Sequence, residues 1–230
     1  MDINDKQNQL VSLARTAGIW YFIMAISGIF GFLILHPQVY DADPQQTLTN
    51  LVEGESLARL RLLLEFAIIV SQALTAVWFY RLFRNINEWA ALATGIWGTV
   101  NAVVIMISAI SMGSAIETAL SSQVMEDKVV IIDLLTNLIS NAWGIGGLFF
   151  GLWLIPLGYI ITRSKRMPVW LGRTLIIGGI GYLIGTAINY AGITGLWAGA
   201  LTIPATVGEF WMIGYLLIFG IRPENDTEIL

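Results

Sequence analysis

Apolar residues in this chain come in long runs that charge does not interrupt. Residues 16–40, 66–80, 89–116, 134–162 and 174–208 contain no Asp, Glu, Lys or Arg. About 20 apolar residues carry an α-helix across a bilayer, and four of the five runs are longer than that. Read with the polar breaks, they predict six helices over about 14–35, 57–80, 90–113, 134–162, 170–190 and 201–221. The first is expected to end at His36-Pro37, because proline lacks the N–H that would continue the ladder. Ser56 is a candidate N-cap for the second helix, Pro168 opens the fifth and Pro223 closes the sixth. The expected fold class is all-α: a polytopic membrane protein, a six-transmembrane-helix bundle built as one integral membrane domain over residues 1–230.

The breaks between runs predict the orientation. With a cytoplasmic N-terminus, the inner side holds Lys6, Arg15, Arg81, Arg84, Arg163, Lys165, Arg166, Arg173 and Arg222, and the outer side only Arg59, Arg61 and Lys128. Basic residues collect on the cytoplasmic side, so both termini are expected inside. Trp20, Trp78, Trp89 and Trp170 fall near that inner boundary, where amphipathic rings prefer to sit. Two long outer loops remain, about 36–56 and 114–133, and short amphipathic helices are expected in them. Asp43-Pro44 followed by Leu48, Leu51 and Val52, with Gly54 as a stop, is the clearer of the two. The N-terminus has Asp2 and Asp5 beside Lys6 and no small-residue cleavage site after the first apolar run. The first run is therefore read as a retained span and not as a signal peptide.

Composition narrows the function. Hydrophobic residues make up 56% of the chain and charged residues 12%, about half the ~25% of a soluble domain. A net charge of −4 without a basic patch excludes nucleic acid as a partner. The absence of cysteine removes thiol nucleophiles, iron–sulfur clusters and thiolate zinc. One histidine, His36, cannot furnish a histidine-rich metal site or a Ser-His pair, and it is read as a helix-end residue beside water. All three lysines lie outside the spans, which excludes a retinal Schiff base, and neither a Walker loop nor a dinucleotide fingerprint occurs. No cofactor is expected.

Polar groups are costly in hydrocarbon, so their positions carry information. Arg61, Glu65 and Gln72 share one helical stripe, as do Asp133, Asn137 and Asn141. Thr94, Asn101 and Ser108 align on the third span, Tyr182, Thr186 and Asn189 on the fifth, and Thr202, Thr206 and Glu209 on the sixth. Glu65 and Glu209 lie about eight residues, or roughly 12 Å, inside the outer boundary. Five helices thus turn polar stripes toward one layer. The expectation is an outward-facing polar pocket floored by Arg61, Glu65 and Glu209 and lined by Gln72, Asn101, Asn137, Asn141 and Asn189. The alternatives are a purely structural ion-pair clamp and a catalytic carboxylate pair. Gly147-x-x-x-Gly151 and Gly181-x-x-x-Gly185 are read as close helix contacts, and a glycine-lined face would also suit a homo-oligomer.

Several spacings resemble a known family. Ala14-Arg15-x-x-Gly18-x-x-Tyr21 opens the first span. Phe149-Phe150-Gly151-Leu152 leads into Gly158-Tyr159, then Ser164, Pro168, Leu171-Gly172 and Gly181-Tyr182-Leu183, and Gly208-Glu209 lies in the last span. The pattern resembles a bacterial family of small multi-pass membrane proteins, the domain-of-unknown-function family 4386, over about residues 10–221. The resemblance implies the six-helix form and a bacterial cell membrane, and marks Arg15, Arg61, Ser164, Pro168 and Glu209. It implies no activity. Family members often carry a histidine where this chain has Trp153.

Three function classes fit, in this order. The first is a non-enzymatic, sensor-like bundle that binds a small molecule or lipid in the outer pocket. The second is a small proton- or solute-coupled carrier using Glu65 or Glu209, and the third an intramembrane enzyme using both. The lipid bilayer is a partner in all three.

Overall fold

A computed structural model describes residues 3–193 and 197–223. Asp2, which entered the reading of the N-terminus, and the chain end after Pro223 lie outside the described residues. The elements are α1 (Ile3–Gly28), a π-helical segment (Ile29–Leu35), α2 (His36–Val39), α3 (Pro44–Glu53), α4 (Glu55–Phe83), α5 (Glu88–Leu120), α6 (Met125–Ser164), α7 (Val169–Tyr190), α8 (Trp197–Leu201) and α9 (Ile203–Ile218). Among the described residues, six helical stretches are long and apolar enough to cross a membrane: Asn4–Val39, Glu55–Phe83, Glu88–Leu120, Met125–Ser164, Val169–Tyr190 and Gly199–Ile218.

Most spans exceed their apolar runs. At 1.5 Å per residue the 40 residues of α6 reach about 60 Å, twice the ~30 Å hydrocarbon layer. Hydropathy marks only the apolar middle of such a helix, and its polar ends remain helical. The loop expected over 114–133 consequently shrinks to 121–124, with no separate helix in it. The first span also runs past His36-Pro37 to Val39. Its π-helical register, in which the His36 N–H donates to the Gly31 carbonyl, restarts the ladder at α2. Pro37 then occupies the first turn, where a missing N–H costs nothing. Ser56 lies inside α4 and caps nothing, because the helix starts at Glu55 directly after Gly54. The last helix stops at Ile218, before Pro223. Gly220, at φ +71°, brings its N–H back to the Tyr215 carbonyl (3.1 Å) and closes the end in the left-handed region.

The chain forms two compact units: Met1–Phe22, Ala73–Val100 and Gly147–Leu230 in the first, Ile23–Gln72 and Asn101–Gly146 in the second. In the first unit, glycines let helices touch backbone to backbone. A Cβ placed on Gly151 would lie 2.6 Å from the Gly179 carbonyl of α7, and one on Gly158 would strike the Gly172 carbonyl. Gly178 faces Ala205 and Gly181 faces the Leu201 carbonyl with no room for a side chain. The segment after α9 is tied down at Arg222 by paired bonds: Arg222 N–H donates to the Arg166 carbonyl (3.0 Å), and Arg166 Nε to the Arg222 carbonyl (2.9 Å).

In the second unit, α3 is set by its ends. The Asp43 carboxylate accepts from the Gln45 N–H at 2.9 Å, and Gly54 follows the last turn. Leu48 and Leu51 of α3 then join Val39, Tyr40, Ala58, Met112, Ala115, Ile116, Ala119, Ile132 and Ile139 in one apolar core.

Glycine packing makes a direct prediction. Gly151→Val is expected to cost about 1–3 kcal/mol through overpacking, read as a lower unfolding temperature in detergent. Gly214→Ala, with nothing within 4 Å of its Cβ position, should not lower that temperature, since alanine is the better helix former. Equal melting of the two variants would contradict the close α6–α7 contact.

Candidate functional site

The second unit buries an ion pair completely. Arg61 and Glu65, four residues apart on α4, both have zero side-chain exposure, and Arg61 Nη1 donates to Glu65 Oε2 at 2.8 Å. The other carboxylate oxygen, Oε1, accepts from Trp143 Nε1 of α6 at 2.9 Å. Glu65 is thus held by two donors from two helices, which suits its ionised form. Space for the guanidinium comes from the π-helical segment: a Cβ on Gly31 would stand 3.3 Å from Arg61 Nη1. Wider π turns recur at functional sites for this kind of reason.

Further polar groups are buried with the pair. Gln72, Asn101 and Ser108 have zero exposure. The short turn after α4 makes α5 its antiparallel neighbour, and Gly113 meets Leu62 at 3.9 Å. That register sets Ser108 about level with Glu65 and Asn101 with Gln72. Gly146 of α6 comes within 3.1 Å of Asn101 Oδ1, measured from its Cβ position. Arg61 Nε and Nη2, both amide atoms of Gln72 and of Asn101, and Ser108 Oγ are buried without a protein hydrogen-bond partner. Buried polar atoms in proteins are hydrogen-bonded with few exceptions, so such a concentration marks a place where water or a ligand completes the structure.

A polar pocket of about 290 Å³ opens in the same unit, lined by His36, Tyr40, Asp41, Ala42, Pro44, Asp133, Thr136, Asn137 and Ser140. Three of these residues also carry a buried polar atom without a protein partner: His36 Nδ1, the Tyr40 hydroxyl and Thr136 Oγ1. Aromatic rings run from pocket to ion pair. Tyr40 stacks on His36 (4.9 Å) and His36 on Phe32 (5.4 Å), and Phe32 lies tilted against Trp143 (4.7 Å), whose indole holds Glu65. Burial pushes the Tyr40 phenol above its ordinary range, with Arg61 pulling the other way. The hydroxyl therefore keeps its proton and is able to donate as well as accept.

The residues expected at the site fall into distinct places. Arg61, Glu65, Gln72 and Asn101 share the buried interior of the second unit, and Asn137 lines its pocket. Asn141 is exposed, its amide folded back on the Asn137 carbonyl at 2.9 Å. Asn189, in the last turn of α7 in the first unit, is also exposed. Glu209 belongs to the first unit, where its carboxylate accepts from the Tyr21 hydroxyl at 2.7 Å. Tyr21 in turn packs against Phe79 (5.6 Å) and Trp153 (5.5 Å). Sequence reading missed Tyr40, Trp143, Asp41 and Thr136, and it set His36 aside. The sole histidine, directly after an apolar run and four residues before a tyrosine, was the available signal.

The model of the family described as "Domain of unknown function (DUF4386)" matches residues 16–220. The chain belongs to this family. It is also 38% identical over 48 residues to a protein of Archaeoglobus fulgidus described as "Uncharacterized protein". That match covers 21% of this chain and 30% of the relative, so the chain spans about a third of the relative's length. No solved structure matches. With six apolar helices, this DUF4386 member is a multi-pass membrane protein.

Among the positions that the family resemblance marks, Arg61 is the one at the centre of a buried network. Arg15 is exposed, and Ser164 only accepts a 3.4 Å bond from the Arg166 N–H in the turn before Pro168. Trp153 is fully buried, and its Nε1 has no protein partner. Removing one member of a buried ion pair strands the other charge, so Arg61→Met is expected to cost about 3–5 kcal/mol by chemical unfolding in detergent. The Arg61→Met/Glu65→Leu double variant should recover most of that loss. Additive losses in the double variant would show that the two groups do not act as a pair.

Proposed function

We propose that this DUF4386 protein is a non-enzymatic, ligand-binding membrane bundle whose second unit takes a small molecule or lipid group in the His36–Tyr40–Asp133–Ser140 pocket. The observation that carries this reading is the coincidence of a polar pocket with three buried polar atoms that the protein leaves unpartnered, at His36, Tyr40 and Thr136. Its volume, about 290 Å³, stands at the lower end of the ~300–1,000 Å³ typical of small-molecule sites. A carrier or an intramembrane acid–base enzyme asks for a carboxylate free to exchange protons. Glu65 is instead locked between a guanidinium and an indole N–H, which argues against proton exchange there and leaves the carrier alternative to Glu209, held by the Tyr21 hydroxyl.

The pocket faces outward in this reading, with both termini in the cytoplasm of a bacterial cell membrane. The basic bias supports it, and so do cation–ring pairs Arg81–Trp78 (5.2 Å), Arg163–Tyr159 (5.7 Å) and Arg173–Trp170 (4.7 Å), the geometry of interfacial anchors on the side that holds most cations. Because the chain has no cysteine, single thiols report cleanly. Asn137→Cys in spheroplasts is expected to react with a membrane-impermeant maleimide, and Arg84→Cys only after lysis. The reverse pattern would refute the orientation. Native mass spectrometry of the protein released from nanodiscs should show a retained small-molecule or lipid adduct that Tyr40→Phe weakens. An adduct-free spectrum would refute the binding reading.

A further inference from the structure

The first unit holds an ionisable group deep in a span, Glu209, which the binding reading does not use. It stands on α9 ten residues after Gly199 and nine before Ile218, the ends of that span. At 1.5 Å per residue it is about 14–15 Å from each end. Ala205, Met212 and Leu216, at i−4, i+3 and i+7, share its side of the helix and are all buried, so the carboxyl is on the inward stripe. That stripe faces α7 and α1: Ala205 meets Gly178, and Leu216 meets Gly18. Each of these helices brings one titratable group to Glu209. From α1 the Tyr21 hydroxyl donates to Glu209 Oε1 at 2.7 Å, and from α7 Tyr182 is near enough to act on it electrostatically. Glu209 makes no ion pair among the described residues, where the pairs are Arg59–Glu55 and Arg61–Glu65.

Two effects therefore oppose each other at this carboxyl. A charge inside hydrocarbon without a counter-ion is costly, and taking up a proton removes it. The Tyr21 donor works the other way, because a hydrogen bond to a carboxylate holds its charged form. That donor is fixed in place: Tyr21 is 1% exposed and packs against Phe79 (5.6 Å) and Trp153 (5.5 Å). Both protonation states thus have something to hold them, whereas Glu65 is fixed as an ion by a guanidinium and an indole. A polar stripe also leads away from the site. Tyr182, Thr186 and Asn189 follow one another at i, i+4 and i+7 on α7, and Asn189 is exposed in the last turn. Tyrosine and threonine hydroxyls both donate and accept, as a proton relay requires. We infer that Glu209 is a proton-exchange site inside the span, binding and releasing a proton beside the Tyr21 hydroxyl and linked to the end of α7 through Tyr182. The step is R–COO⁻ + H₃O⁺ → R–COOH + H₂O and needs no co-reactant.

This site is independent of the pocket in the second unit, and its test reads a different signal. Infrared difference spectra are recorded on the protein in lipid nanodiscs between about pH 6 and about pH 10, above the ~4 at which surface carboxylates titrate. The C=O band of a neutral carboxylic acid is expected at the acid end, replaced by carboxylate bands at the alkaline end and lost in Glu209→Gln. Glutamine keeps an oxygen for the Tyr21 hydroxyl, and the unfolding temperature checks that the variant is folded. Tyr21→Phe keeps the ring and removes the donor, so the band should persist to more alkaline pH. Tyr182→Phe should slow the response to a pH jump without moving its end points, and an unaltered rate would remove Tyr182 as the link. A band that survives Glu209→Gln belongs to another carboxyl and overturns the assignment. Absence of the band at every pH would overturn it too, marking a carboxylate that stays charged. So would a band unchanged to the alkaline end, which marks a permanently neutral structural group. The same spectral change produced by sodium at fixed pH would replace the proton by a metal ion.

Discussion

A fully buried Arg–Glu pair constrains everything packed around it. Taking two ions out of water costs several kcal/mol each, and only good geometry with additional hydrogen bonds offsets that cost. Here the geometry comes from three places in the chain. The pair itself lies one turn apart on α4, the α6 indole at Trp143 takes the second carboxylate oxygen, and the π-helical segment presents Gly31, whose Cβ position lies a tight 3.3 Å from the guanidinium. The helices around the pair are therefore not interchangeable apolar rods. Their register is fixed by a polar centre.

The pair is only part of the polar interior. Arg61 still has two nitrogens without a protein partner, and Gln72, Asn101 and Ser108 are buried in the same state. An all-apolar interior of equal volume would be simpler to stabilise, since replacing buried ions by hydrophobic residues is often neutral or favourable. A polar interior beside a polar pocket is instead what a binding site requires. The aromatic series Tyr40–His36–Phe32–Trp143 gives the pocket a contiguous route of contacts to Glu65. The first unit differs in kind. Its helices meet through glycine backbones, and Glu209 accepts a hydrogen bond from Tyr21 within an aromatic cluster.

The membrane architecture was legible in the sequence because hydrocarbon imposes a length and a composition on each span. The α4 stripe of Arg61, Glu65 and Gln72 was legible too, since helical periodicity alone aligns it. Periodicity says nothing about depth of packing against other helices, which is why Asn141 and Asn189 were grouped with buried residues although they stand exposed. It also assigns no partner. Counting residues from the boundary set Glu209 at the depth of Glu65, but such a count names no partner, and the Glu209 hydrogen bond goes to Tyr21, 188 residues earlier in sequence. The pocket itself escaped notice because half its lining, from His36 to Pro44, follows the apolar run, where hydropathy carries no signal. The π-helical register that carries the first span through Pro37 has no signature in the pattern of apolar positions.

The central claim is that the second unit is completed by a molecule that the chain does not supply. A high-resolution density map of the protein in lipid nanodiscs tests it most directly. Discrete non-protein density is expected in the pocket, against residues that line it, among them His36, Tyr40 and Asn137. A pocket closed by protein, with the Tyr40 hydroxyl bonded to a side chain or backbone carbonyl of the same chain, would contradict it.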